Sequence, residues 1–133
     1  MKPVFADTFF YLAILCPTDA HHAQATDWSA SYDGALLTTS WVLTELADAF
    51  GKTTQRTGFV QFYQSLLDDP RMEIVPASEE LWERGLKLYS SRPDKDWSLT
   101  DCISFVVMQE RGLKDALTGD HHFEQAGFKA LLT

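Results

Sequence analysis

The chain has 133 residues, 45% of them hydrophobic, and carries Lys+Arg 11 against Asp+Glu 19 for a formal net charge of −8. That length and apolar content fit one domain over residues 1–133 with a sizeable core, and exclude a disordered chain. The acidity excludes a strong non-specific nucleic-acid binder, which needs a basic face. It does not exclude a nuclease, because a cation held among acids can bind phosphate locally.

The apolar run Phe9 to Cys16 is too short to span a bilayer, and Asp7 interrupts its approach. No small-residue cleavage site follows a basic start, so no secretory signal and no membrane association are expected. Cys16 and Cys102 both lie in apolar contexts. They read as two reduced core thiols of a cytoplasmic protein rather than a disulfide.

In chain order, Pro3 precedes Val4-Phe5-Ala6, a short buried strand. Thr8 to Leu15 reads as a helix ended by Pro17, and Ala20 to Tyr32 as a second, polar helix. Ala35 to Thr38 is a strand, and Ser40 is the expected cap of a helix from Trp41 to Phe50, stopped by Gly51. Thr54 to Leu67 places Phe59, Phe62, Tyr63 and Leu66 at helical spacing. Asp68-Asp69-Pro70 is a turn and Met72 to Val75 a third strand. Ser78 is placed to cap a helix reaching Tyr89, with Glu79 and Glu80 favourable in its first turn. Arg92 to Asp96 is loop. Ser98 is placed to cap a helix from Leu99 to Arg111, stopped by Gly112. Ala116 to Thr118 is a fourth strand, His121 to Ala126 a short helix, and Phe128 to Leu132 a fifth strand at an edge. Short apolar strands alternating with helices imply an α/β fold with a mainly parallel sheet covered on both faces. In such open sheets ligands bind beyond the carboxyl ends of the strands.

Four acids stand at junctions between apolar segments: Asp7, Glu45, Asp101 and Asp120. Carboxylates gathered in one place repel, and a hard divalent cation makes the gathering tolerable. A metal-dependent phosphodiesterase is therefore the leading reading. Each acid also has a plainer one. Asp7 fits an N-cap, and Glu45 an ordinary helix surface with Asp48 a competitor three residues on. Asp101 completes a capping-box-like Ser98-Leu99-Thr100-Asp101, although Glu or Gln is usual there. Asp120 fits a turn after Gly119. Asp96 reads as a solvated loop acid, and Asp115 falls at the wrong end of its strand.

The pairs His21-His22 and His121-His122 raise zinc, but adjacent histidines point to different faces and lack ligand spacing. His121 or His122 remains a candidate contact to substrate phosphate near Asp120. There is no Walker loop, dinucleotide fingerprint or Gly-x-Ser-x-Gly elbow. A receiver-like phosphoacceptor would want an acid closing the third strand, where Pro76-Ala77 stands instead.

Taken in order, Asp7 after a first strand, Thr44-Glu45-Leu46 in a helix, Leu99-Thr100-Asp101-Cys102 opening a late helix and Ala116 to Phe123 around Asp120 resemble PIN-domain proteins, and among them the VapC-like toxin ribonucleases. Phe123-Glu124-Gln125-Ala126-Gly127-Phe128 is similar to that family's ending. The resemblance implies a PIN-like three-layer sandwich with a sheet of four to five strands. It also implies magnesium- or manganese-dependent endoribonuclease activity, with Asp7, Glu45, Asp101 and Asp120 as catalytic metal ligands. Thr8, Thr100 and His121 are the neighbours expected to support them. Gly119-Asp120-His121-His122-Phe123 departs from many relatives between the last acid and Phe. The resemblance further implies an RNA substrate, a cognate antitoxin and a homodimer.

With oxygen-only ligands, magnesium or manganese is favoured over zinc. Lys52, Arg56, Arg92, Lys95 and Trp97 are the scattered groups available for RNA. Phe59, Phe62 and Tyr63 beside Trp41 offer either a partner groove or plain core packing. Two other functions stand beside this one: a non-catalytic PIN-like interaction module, and a DNA-acting structure-specific nuclease, which would need more basic surface.

Overall fold

A computed structural model describes residues 2–133. Among the described residues, seven helices flank one five-stranded sheet. The strands are β1 (Val4–Ala6), β2 (Leu36–Thr39), β3 (Met72–Val75), β4 (Asp115–Leu117) and β5 (Lys129–Ala130). The helices are α1 (Thr8–Leu15), α2 (His22–Ser31), α3 (Ser40–Ala49), α4 (Thr53–Asp68), α5 (Glu79–Ser91), α6 (Leu99–Arg111) and α7 (His121–Gln125). The spatial order is β3-β2-β1-β4-β5 and every pairing is parallel. Successive residues of a strand face opposite sides. All of Val4, Phe5 and Ala6 are buried, so both faces of the central strand are covered, as parallel sheets require.

Chain order reverses at β1, whose neighbours are β2 on one side and β4 on the other. A crevice therefore opens past the carboxyl ends of these three strands. Thr38 at the end of β2 donates its hydroxyl to the Ala6 carbonyl at 2.8 Å, which ties two strand ends together at the crevice floor.

The core is built around α6, in which every residue from Asp101 to Met108 is buried. Such all-round burial marks a helix enclosed by other elements rather than one lying on a surface. Gly85 lets α5 approach it closely. A Cβ there would stand 2.3 Å from Ile103 Cγ1, so any side chain would push the two helices apart. Gly112 ends α6 in the left-handed region at φ 65, where Gly bears no steric cost. Phe105 of α6 meets Phe123 of α7 edge-on at 5.0 Å and Trp97 at 5.1 Å. That aromatic cluster anchors the short α7.

Several boundaries differ from those the sequence implies. Thr39, not Ser40, caps α3, accepting from the Val42 amide at 3.2 Å while Ser40 begins the helix. Both hydroxyls suit a cap, and the extended backbone of Thr39 at the end of β2 decides between them. Pairing with β4 confines β5 to Lys129–Ala130 rather than Phe128 to Leu132. Cys16 and Cys102 are free thiols, and burial pushes Cys102 up to about 11.

Candidate active site

Asp7 follows β1 directly, with extended backbone at the head of α1, yet no side-chain cap bond closes that helix. Its carboxylate Oδ2 instead accepts the Thr118 hydroxyl at 2.9 Å. Thr118 is fully buried, and its oxygen also accepts the Asp120 amide at 3.1 Å. One hydroxyl thus joins Asp7 to the backbone of Asp120 across the β1–β4 pair. In the sequence Thr118 reads only as the end of a strand, whereas β4 closes at Leu117. Its role rests on a partner 111 residues away, which local pattern cannot show.

Asp101 stands at the third position of α6. Its amide donates to Ser98 Oγ at 3.0 Å and its Oδ2 accepts the Ser98 amide at 3.1 Å, a complete capping box. The plainer reading of Asp101 therefore holds, and the residue still lines the acidic cavity with the others. The cap uses Oδ2 and fixes which way the carboxyl faces. Asp120 caps α7, accepting the His122 amide at 2.9 Å. Glu45 reaches the same cavity from the exposed side of α3.

The cavity has a volume of about 330 Å³ and is lined by Asp7, Glu45, Asp101 and Asp120 together with Thr8, Phe9, Leu12, Asp96, Ser98 and His122. All four acids singled out in the sequence thus meet in one place. Asp96, read as a solvated loop acid, is exposed but lies on the rim. Thr100 is half-buried and does not line the cavity; its carbonyl accepts the Ser104 hydroxyl at 2.9 Å. The expected His121 is 74% exposed, and His122 takes its place. His122 Nδ1 lies 3.1 Å from Asp101 Oδ2 and 3.4 Å from Asp120 Oδ1. Nor do the adjacent histidines point fully apart. His121 Nδ1 comes within 3.8 Å of Asp120 Oδ1, and the two rings are 4.6 Å between centroids. The cap geometry at Asp120 folds the chain back and brings both rings to it.

The electrostatics are unfavourable without a counter-charge. Burial pushes the Asp7 carboxyl up to about 7, the Asp101 and Glu45 charges add to the rise, and the Thr118 hydrogen bond opposes it. Asp101 is raised too, by burial first and then by Asp120, against the Ser98 amide and His122. Thr8 adds a second unmet demand. Its Oγ1 is the one buried side-chain polar atom among the described residues with no hydrogen-bond partner. Such an orphan costs about 1–3 kcal/mol unless a ligand or water meets it. Buried carboxylates with no lysine or arginine between them among the described residues, and an unsatisfied hydroxyl beside them, fit a divalent cation and its waters.

A wider groove of about 810 Å³ joins the cavity at Asp96 and Ser98 and runs past Tyr89, Arg92 and Lys95. Arg92 pairs with Asp94 at 3.0 Å and lies 5.1 Å over the Trp97 ring. Trp97 itself is buried, with its Nε1 donating to Gln125 Oε1 at 3.0 Å, so it is core and not a stacking platform. Tyr89, 49% exposed, is the aromatic available there. Lys52 and Arg56 lie at the start of α4 and line neither cavity nor groove; Arg56 donates to the Gly51 carbonyl at 2.7 Å. Phe59 and Tyr63 line a shallow cavity of about 260 Å³ against α3, while Phe62 packs edge-on to Tyr11 at 5.4 Å.

Among known proteins the chain is similar to the 23S rRNA-specific endonuclease VapC20 in two strains of Mycobacterium tuberculosis, 29% identical over 128 residues that cover 94% of this chain and 95% of the relative. The fold matches the crystal structure of Mycobacterium tuberculosis VapC20, described as a sarcin-ricin loop cleaving toxin, with a TM-score of 0.88 over 98% of this chain and 99% of that one. Identity over that superposition is 24%. FitAcB from Neisseria gonorrhoeae matches with a TM-score of 0.70 at 15% identity, covering 98% of this chain and 96% of that one. The PIN domain family model matches residues 4–129, nearly the whole chain, and with the sheet order and the convergent acids already described, the protein belongs to the PIN domain family.

Proposed function

We propose that this protein is a divalent-metal-dependent endoribonuclease and the toxin of a toxin–antitoxin pair. The observation that carries the reading is the meeting of Asp7, Glu45, Asp101 and Asp120 in one cavity at the carboxyl ends of β1 and β4, with the two buried ones pushed up by burial and by one another's charges. The family membership and the likeness to a 23S rRNA-specific endonuclease support it.

Asp7, Glu45, Asp101 and Asp120 hold the cation, magnesium or manganese. A cation held there would supply Lewis-acid polarisation of a phosphodiester and a more acidic water. The chain's own groups do the positioning. The Thr118 hydroxyl holds Asp7 in one orientation and sets the turn that presents Asp120. The capping box does the same for Asp101. Thr8 Oγ1 offers a hydrogen bond to whatever oxygen lies in the cavity. Phe9 and Leu12 exclude bulk water on one side, which strengthens every charge interaction inside. In the adjoining groove, Lys95 and Arg92 neutralise flanking phosphates and Tyr89 stacks on a splayed base, the usual way of holding single-stranded RNA.

The partners of this reading are an RNA substrate, a cognate antitoxin and a second copy of the chain, acting in the cytoplasm where the RNA is. No described helix is long and apolar enough to cross a membrane.

The test is cleavage of an RNA pool containing 23S rRNA by wild type and by Asp101→Asn, with manganese or magnesium and then with EDTA. Cleavage that needs the metal and is lost in a variant folded by circular dichroism supports the proposal. Equal activity in both proteins points to a contaminant and overturns the assignment of the site.

A further inference from the structure

His122 brings a nitrogen donor into the acidic cavity, and the exposed His121 stands beside Asp120 at its edge. His122 Nδ1 is 3.1 Å from Asp101 Oδ2 and 3.4 Å from Asp120 Oδ1, and His121 Nδ1 is 3.8 Å from Asp120 Oδ1. Ligand atoms of Asp120, His121 and His122 all lie within 4.8 Å of one another. A tetrahedral ion with bonds of about 2.05 Å holds its donors about 3.3 Å apart, whereas cis donors on an octahedral ion of the same bond length stand about 2.9 Å apart. The observed spacings bracket the tetrahedral value.

A hydrogen bond from His122 to Asp101 is the plainer account of the shorter distance. The cap at Asp120 accounts for the ring lying beside that residue, but Nδ1 carries one proton at most and cannot serve two carboxylates well. The arrangement is also held firmly. Asp120 Oδ1 accepts the His122 amide, and the neighbouring Phe123 is fully buried against Phe105. An independent sign of a ligand lies in the same cavity: Thr8 is 5% exposed and its Oγ1 has no partner.

We propose that Asp101, Asp120 and His122, with His121 as an outer fourth donor, form a mixed oxygen–nitrogen site that binds zinc(II) in preference to magnesium, and that zinc held there displaces the cation of RNA cleavage. Imidazole nitrogen favours the later first-row metals, and a given site binds zinc more tightly than manganese. Asp101 and Asp120 belong to both donor sets, so the two occupancies compete. The zinc preference stands on donor chemistry alone; the competition rests on the ribonuclease reading above.

The experiment uses the full chain stripped with chelator. Zinc is titrated against a chromophoric zinc chelator, and magnesium by calorimetry. One equivalent of zinc is expected to bind roughly a hundredfold or more tighter than magnesium. Cobalt(II) added to the same protein is expected to give the intense visible absorption of a tetrahedral site. His122→Asn, or His122→Gln should the first variant fold poorly, is expected to weaken zinc roughly tenfold or more while changing magnesium affinity little. Equal affinities for the two metals, a weak octahedral cobalt spectrum, or unchanged zinc affinity in the His122 variants would overturn the proposal. Where manganese supports RNA cleavage, added zinc should inhibit wild type at lower concentration than His122→Asn, and equal inhibition overturns the competition. Wild type that binds zinc through His122 yet cleaves no RNA under any cation would overturn the ribonuclease reading and leave the zinc site standing.

Discussion

The acids at the carboxyl ends of the sheet behave oppositely to those beside its edge strand β3. Glu73 on β3 pairs with Arg111 at 2.7 Å, and Asp69 just before it pairs with Arg71 at 3.2 Å. Both carboxyls are held below the usual range by those arginines. Asp7 and Asp101 have no arginine or lysine partner among the described residues, and burial pushes both up. The same residue type is thus satisfied by the protein at one place and left wanting at another. A fold selected for stability alone would not bury carboxylates beside one another. The contrast therefore marks the cavity as a place where stability is given up for binding.

The widest separation between the two regions should come from Asp7→Asn and Glu73→Gln compared side by side. Asp7→Asn is expected to lower metal-dependent RNA cleavage by roughly 10³-fold or more, because a cation ligand is removed. Measured by thermal melting in EDTA, the same variant should be more stable than wild type at pH 8, by on the order of 2 kcal/mol. An Asp7→Asn protein that is both inactive and less stable would assign Asp7 a structural role and dissolve the contrast.

The pH dependence of metal-free stability comes next. Asp7 has a folded pKa of about 7 and an ordinary value of 3.8. Between those values the folded state binds the proton and the unfolded state does not, so stability rises as pH falls through that window. The paired acids act with the opposite sign. Their folded pKa values are depressed, so their contribution is present above the unfolded values and is lost as pH falls below them. Denaturant melts from pH 8 to pH 3 should show maximum stability near pH 5, and saturating manganese should flatten the rise between pH 7 and pH 5. A curve that falls steadily from pH 8 downward would contradict the assignment of Asp7.

Glu73→Gln is the smallest effect. Its partner Arg111 is 40% exposed, so screening limits the loss to about 0.5 kcal/mol, with RNA cleavage unchanged. Any sizeable loss of cleavage in this variant would mean that the two regions are coupled.

Much of the site was legible because its residues are announced by their chain neighbours. Asp7 follows three apolar residues that form the central strand, and Asp101 follows Ser98 at capping distance. Glu45 was legible through the family resemblance alone, since in its helix it is exposed and unremarkable by pattern. The misreadings have one cause. The sequence leaves His121 and His122 as alternatives and only His121 among the supporting neighbours, because the turn set by Asp120 decides which ring enters the cavity. Trp97 stands in the sequence as an aromatic available to stack on RNA, yet packing on Phe105 buries it. Asp96 was set aside for its polar surroundings, and it lies on the rim because Ser98 starts α6 there.

The sequence by itself determined the alternation of short apolar strands with helices, the parallel sheet this demands, and the positions of Asp7, Asp101 and Asp120 at or near element ends. These follow from periodicity, capping and turn chemistry, which act over a few residues. Only the tertiary structure decided which groups touch. Thr118 meets Asp7 across 111 residues and His122 meets Asp101 across 21. Contacts at such separations depend on strand order and on the packing of Phe123 against α6, and no local pattern encodes them. The raised carboxyls and the orphaned Thr8 hydroxyl arise the same way. Burial is a property of the assembled core, and burial turns ordinary acids into a site that wants a cation.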